Sequence, residues 1–104
     1  MLENKNIFFK KKILIYGLGK SGLSSYRCLK NNNNLFLFDD KKIFTKNIEI
    51  KKKLIRHNNI KNIKFDYIII SPGININKCS LSKYLQKNSN KINTDLDIFY
   101  SLYG

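Results

Sequence analysis

A chain of 104 residues, 42% apolar and with a single proline, has material for one compact core and one domain. Its formal net charge of +13 raises nucleic acid or an anionic membrane as partners. Yet lysine, asparagine and isoleucine make up nearly half the residues, the bias of AT-rich coding DNA, and the lysines are scattered or sit in short runs (Lys10 to Lys12, Lys51 to Lys53). No arginine cluster or RNA-binding aromatic signature accompanies them. The composition therefore argues against specific nucleic-acid binding and leaves a general attraction for anionic ligands. Cys28 and Cys79 make no disulfide framework and have no metal-ligand spacing, so reduced thiols in a cytoplasmic protein are expected. No apolar run has the length of a membrane span or the form of a signal peptide, and no membrane partner is expected.

In chain order, residues 1–10 read as a polar leader, with Ile7, Phe8 and Phe9 placed to pack at an edge. A strand over Lys12–Tyr16 breaks at Gly17, and a helix of about Ser21–Lys30 follows with Gly22, Ser25, Tyr26 and Leu29 on one face. Asn31 to Asn34 form a loop, because asparagine favours turns and tolerates left-handed backbone. Leu35 to Phe38 is a buried strand ending at Asp39 and Asp40. The stretch 41–64 is the least legible. Ile48, Lys52, Ile55 and Leu54 allow a lysine-rich helix, and Asn62 to Phe65 reads as a short edge strand.

Tyr67 to Ile70 is a buried strand that stops at Ser71-Pro72-Gly73. Ser80 is placed to cap a helix of about Leu81–Lys87 with Leu81, Tyr84 and Leu85 inward. Lys91 to Asn93 reads as a short strand. Thr94-Asp95-Leu96-Asp97 resembles a capping box that starts a helix striped by Leu96, Phe99, Tyr100 and Tyr103. Such a stripe either closes this domain or leads into another. Alternating strands and helices predict an α/β fold: a Rossmann-like open parallel sheet with helices on both faces, spanning residues 11–104.

The candidate ligand site starts from Gly17, Gly19 and Gly22, which fit G-x-G-x-x-G between a strand and a helix. In that motif the first glycine permits the turn, the second lets backbone approach a phosphate, and the third lets the helix pack on its strand. A helix N-terminus there offers free N–H groups and partial positive charge to an anion. The bare alternative is a tight strand–helix turn with no ligand. Gly19-Lys20-Ser21 also mimics the end of a P-loop, but that motif needs a glycine where Leu14 stands.

Asp39 falls about where a dinucleotide fold uses a carboxylate for a ribose hydroxyl. Adjacent residues at a strand end point in different directions, so Asp39 and Asp40 suit ligand contact better than paired catalysis, or else cap the next element. Lys41 and Lys42 can meet a phosphate or face solvent. Gly73, at the carboxyl end of a strand, can bring backbone to a ligand or make an ordinary turn. His57 sits among lysines without evident partners and is expected to be exposed. No nucleophilic triad and no metal set can be built, so no catalytic residue is expected.

Gly-Leu-Gly-Lys-Ser-Gly-Leu-Ser at 17–24, Phe-Asp-Asp at 38–40, Ser-Pro-Gly-Ile at 71–74 and Asp-Leu-Asp-Ile-Phe at 95–99 occur in an order and spacing that resembles one family. It is the N-terminal domain of the D-glutamate-adding Mur ligases of peptidoglycan synthesis, a resemblance covering roughly residues 11–100. It implies a Rossmann-like domain that binds the UDP part of UDP-N-acetylmuramoyl-L-alanine rather than a nicotinamide cofactor. By position, Lys20 and Ser21 with Gly17, Gly19 and Gly22 would face the diphosphate. Asp39 and Asp40 would meet the uracil end, Lys41 would approach it or a phosphate, and Gly73 would offer backbone. The family often has a hydroxyl residue at position 40 and arginine at 41, where this chain has Asp40 and Lys41. Its ligation chemistry, with ATP and Mg²⁺, belongs to a central ATPase domain and a C-terminal domain absent from these residues. The resemblance thus implies a monomeric binding fragment that holds no cofactor and does not catalyse alone. The alternative is an NAD(P)-binding domain of a dehydrogenase or regulatory protein.

Overall fold

Lys12–Tyr16 (β1) is apolar and rich in isoleucine, and it becomes an inner strand of a four-stranded parallel sheet of order β2-β1-β3-β4. The computed structural model describes residues 6–103. Asn34–Phe38 forms β2, Tyr67–Ile70 forms β3 and Ile92–Asn93 forms β4. Leu14 lies between Phe36 and Ile68, and Ile15 between Leu37 and Ile69. The connecting helices are α1 (Lys20–Leu29), α2 (Ile48–Lys53), α3 (His57–Ile60) and α4 (Ser82–Lys87), and α5 (Asp95–Tyr103) follows β4.

Parallel strands covered on both faces read as unbroken apolar runs, and β1 behaves so. Ile13 and Ile15 enter one core cluster with Tyr26 and Leu29 of α1, Ile98 of α5 and Phe8. Leu14 and Tyr16 enter the other with Ile60 of α3, Phe65, Leu81 just before α4 and Leu85 within it. Helices thus cover both faces, as the alternation predicts. The strand order reverses at β1, since the chain runs first to β2 on one side and then to β3 on the other. In open α/β sheets that reversal opens a crevice beyond the carboxyl ends of the strands.

Several local expectations change. Asn62 to Phe65 is no strand: the N–H groups of Asn62 and Ile63 donate to the carbonyls of Asn59 and Ile60, closing a turn after α3, while Phe65 is buried against Phe36. The lysine-rich helix ends at Lys53, because Leu54 bridges to Leu37 and the Ile55 N–H donates to the Leu37 carbonyl. That extended pair continues β2's hydrogen bonding where a longer helix would leave it open. Asn47 caps α2 by accepting the Ile50 N–H at 3.1 Å. Ser80 does not cap α4: Leu81 occupies the N-cap position, and the Ser80 hydroxyl turns to Asp40.

Of the leader, residues 1–5 lie outside the described residues. Phe8 is buried against Tyr67, while Ile7 and Phe9 are exposed. The box at Thr94 forms through Asp97, whose Oδ2 accepts the Thr94 N–H at 2.7 Å. In α5 the buried residues are Ile98 and Ser101, so Leu96, Phe99, Tyr100 and Tyr103 all face outward and do not close this core.

Candidate functional site

The glycine turn divides into two glycines demanded by the fold and one that is not. Gly17 has φ +95°, and a β-carbon there would lie 2.7 Å from Ser71 Oγ and 2.9 Å from Ile74 Cδ1. Its N–H donates to the Phe38 carbonyl at 2.8 Å, and its carbonyl accepts the Ser71 hydroxyl at 3.0 Å. The turn is thereby tied to β2 and to the loop after β3. At Gly22 a β-carbon would lie 1.7 Å from the Gly17 carbonyl oxygen, so only glycine lets α1 rest on the turn. A β-carbon on Gly19 would meet nothing within 4 Å, and the same holds for Gly73. Both are exposed, and packing requires neither to be glycine; what their smallness supplies is open backbone at the rim of the crevice.

Gly19 is also the N-cap of α1, with no side-chain cap and no acidic residue in the first turn. The leading N–H groups of α1 therefore point out of the helix toward solvent, ready for an anion. Lys20 is exposed beside them. Ser21 differs from expectation in detail: its hydroxyl donates to Asp95 Oδ2 at 3.1 Å, joining the start of α1 to the start of α5. In this arrangement Ser21 offers a ligand its backbone N–H rather than its hydroxyl proton.

Asp39 and Asp40 diverge, as neighbours on an extended chain must. Asp39 Oδ2 accepts the Leu18 N–H at 2.7 Å and Oδ1 accepts the Lys41 N–H at 2.9 Å. One carboxylate thus clamps the glycine turn to the loop after β2, and the Lys41 side chain is left exposed. Asp40 points to the other face. Its Oδ2 accepts the Tyr16 hydroxyl at 2.6 Å, and Oδ1 accepts the Ser80 hydroxyl. Partial burial pushes the Asp40 carboxyl up, but the hydrogen bonds from Ser80 and Tyr16, with His57 nearby, hold it below its usual range. Burial, and then the bond to Asp40, raises the Tyr16 phenol far above its ordinary value. His57 is exposed as expected but not alone: Nε2 lies 3.2 Å from the Ser80 carbonyl oxygen, and the ring meets Phe38 edge-on.

Beside the clamp lies a cavity of about 360 Å³ lined by Leu18, Leu23, Ile43, Phe44 and Ile50, with Lys42 and Thr45 at its edge. An apolar recess next to uncapped helix N–H groups can seat a flat ring while the N–H groups hold an anion attached to it. The structure therefore brings Gly17, Gly19, Lys20, Ser21, Gly22, Asp39 and the Lys41 backbone to one edge of the sheet. Gly73 sits on the neighbouring loop, and Asp40 is turned away. Ser71 and Asp95 were visible within the sequence motifs, without a role. The link of Tyr16 and Ser80 through Asp40 gave no signal, since it spans 24 and 40 positions.

Comparison with known proteins gives the family. A family model described as Mur ligase MurD-like, N-terminal domain, matches residues 11–93. Among curated proteins, the UDP-N-acetylmuramoylalanine--D-glutamate ligase of Rickettsia prowazekii (strain Madrid E) is 33% identical over 101 residues, covering 91% of this chain and 22% of the relative. The ligase of the same name from Rickettsia bellii (strain RML369-C) is 30% identical over 94 residues, covering 88% of this chain and 21% of the relative. The chain spans about a fifth of the length of these relatives. Among the described residues, no helix is long and apolar enough to cross a membrane.

Proposed function

Since the chain belongs to the MurD-like N-terminal domain family of Mur ligases, we propose that it holds the UDP moiety of UDP-N-acetylmuramoyl-L-alanine for a D-glutamate-adding ligase. The observation that carries this reading is the uncapped start of α1 at Gly19, where even an added β-carbon would meet nothing within 4 Å. The diphosphate lies against the N–H groups of Lys20, Ser21 and Gly22, with the Lys20 ammonium as counter-charge. The uracil lies in the recess on Leu18 and Ile43, under the loop that Asp39 clamps. Asp40 then acts as an anchor for that loop, through Tyr16 and Ser80, rather than as a base contact.

The family match favours UDP over a nicotinamide dinucleotide. Asp39 stands where dinucleotide folds place the acid that accepts ribose hydroxyls; here it accepts one backbone N–H on each oxygen and keeps a further lone pair on each. ATP and Mg²⁺ belong, in this reading, to the other four-fifths of the ligase. Leu14 replaces the glycine a P-loop requires, and no three His, Cys, Asp or Glu side chains converge among the described residues. This chain's own residues bind and orient the nucleotide, and the ligation itself takes place elsewhere.

The test is a titration of the chain with UDP, UDP-N-acetylmuramoyl-L-alanine, NADH and NADPH, followed by backbone amide NMR. Shifts at residues 17–23 and 39–45 with the uridine ligands alone are expected. Shifts there with the nicotinamide ligands alone would replace this reading by the dinucleotide one.

A further inference from the structure

A second concavity lies away from the glycine turn. A cavity of about 550 Å³ opens between α3 and α4 on the opposite face of the sheet. Its floor is Ile60 and Leu81, both buried, and the ring of Tyr84 forms a wall. Lys61, Lys83 and Lys87 surround it, and no acidic residue lines it. None of the three lysines forms an ion pair among the described residues, where Lys30 with Glu49 is the pair present. His57 closes one end, its imidazole fixed by the Ser80 carbonyl and the edge of Phe38. The nearest carboxylate network is Asp40, already occupied by Tyr16 and Ser80.

A chain rich in lysine has basic surface by composition alone. This cleft goes further, because it gathers three unpaired cations around a concave apolar floor instead of spreading them on a convex face. Volumes of 300–1,000 Å³ are about those that enclose small organic ligands, with a few polar groups fixing orientation. The Tyr84 phenol, protonated near neutral pH as any tyrosine is and raised further by burial, is a hydrogen-bond donor. Three lysines around one cleft favour a dianion over a monoanion.

We propose that the α3–α4 cleft is a second ligand site, separate from the glycine-turn crevice, that takes a phosphorylated small molecule with a flat apolar body. The ring lies on Ile60 and Leu81 against Tyr84, and the phosphate is held by Lys61, Lys83 and Lys87. This site is independent of the nucleotide reading, since it shares no residue with the glycine turn.

The probe is phenyl phosphate, titrated at physiological salt with amide NMR as readout. Saturable shifts at 57–61 and 80–87 are expected, with benzoate and inorganic phosphate binding more weakly and benzyl alcohol not at all. Charge reversal by K83E with K87E changes two exposed positions, so the fold should persist, which amide dispersion verifies. It should weaken phenyl phosphate by about tenfold or more, as expected from losing charged hydrogen bonds. K52E, on the exposed side of α2, should leave binding unchanged, and so should G19V. Equal weakening in K52E would reduce the effect to general charge and overturn the proposal. So would shifts confined to residues 17–23, or no saturable response at any residue.

Discussion

Gly19 and Gly22 stand three residues apart in one motif, and the structure assigns them opposite kinds of work, so exchanging each for a larger residue separates folding from binding. At Gly22 an added β-carbon meets the Gly17 carbonyl oxygen at 1.7 Å and the carbonyl carbon at 2.8 Å. Both are backbone atoms of a turn tied to Phe38 and Ser71, so no rotamer change relieves the overlap. Alanine gains about 1 kcal/mol of helix propensity over glycine, against an overpacking cost of about 3 kcal/mol or more. Gly22→Ala should therefore cost about 2–4 kcal/mol, lowering Tm by about 10–20 °C for a domain of this size.

Gly19 has no atom within 4 Å of its β-carbon position, and its φ of −74° suits any residue. Gly19→Val loses a favourable N-cap residue, about 0.5–1 kcal/mol, or a few degrees of Tm. Its isopropyl group, however, stands where a phosphate must approach the α1 N–H groups. UDP binding should fall by at least about tenfold, equivalent to about 1.4 kcal/mol. The paired assay is thermal unfolding by circular dichroism and UDP binding by calorimetry, on both variants and the parent chain. A Gly22→Ala variant melting with the parent would refute the packing argument. A Gly19→Val variant that binds UDP like the parent would remove the glycine turn as the site.

Other outcomes follow from the same contacts. Asp39→Ala frees the Leu18 and Lys41 N–H groups; charged hydrogen bonds of this kind contribute about 1.5–3 kcal/mol when buried and less at a half-exposed site, so a Tm loss of a few degrees should accompany a larger loss of UDP affinity in the same two assays. Ile98→Ala empties a buried position where α5 meets the sheet and should cost about 2–4 kcal/mol in urea unfolding, with UDP affinity at saturating folded protein unchanged. For pH, the folded Asp40 carboxyl lies below its unfolded value. Its contribution is therefore present above about pH 4 and is lost as pH falls through the folded value. The Tyr16 phenol lies above its unfolded value. Its contribution is present below about pH 10 and is lost as pH rises beyond that. Asp40→Asn should flatten the acid limb of stability against pH, and Tyr16→Phe the alkaline limb.

The fold was legible in the residues to the extent that it rests on local pattern. Lys12–Tyr16 and Tyr67–Ile70 are short isoleucine-rich runs, one stopped by Gly17 and the other by Ser71-Pro72-Gly73, and each forms the strand expected of it. Gly22, Ser25, Tyr26 and Leu29 bury one face of α1 because 3.6-residue spacing is a property of the helix alone. The pattern failed over 41–65, where apolar residues are sparse and lysine has no preferred partner. There the unpaired edge of β2 decided the outcome, drawing Leu54 and Ile55 out of the helix to bond with Leu37.

For the site, sequence alone determined the glycine turn, its strand and helix, and Asp39 at the end of the next strand, since spacing along one βαβ unit sets their approach. Tertiary structure alone decided what each of them has left to offer. Gly17 and Gly22 are consumed by packing, Gly19 is left open, and Asp39 is committed to two N–H groups. Asp40 joins Tyr16 and Ser80 across the other face, and the α3–α4 cleft gathers lysines from positions 61, 83 and 87. The physical reason is that a residue's type limits which bonds it can make. Which of those bonds remain free for a ligand depends on neighbours that are distant in the chain.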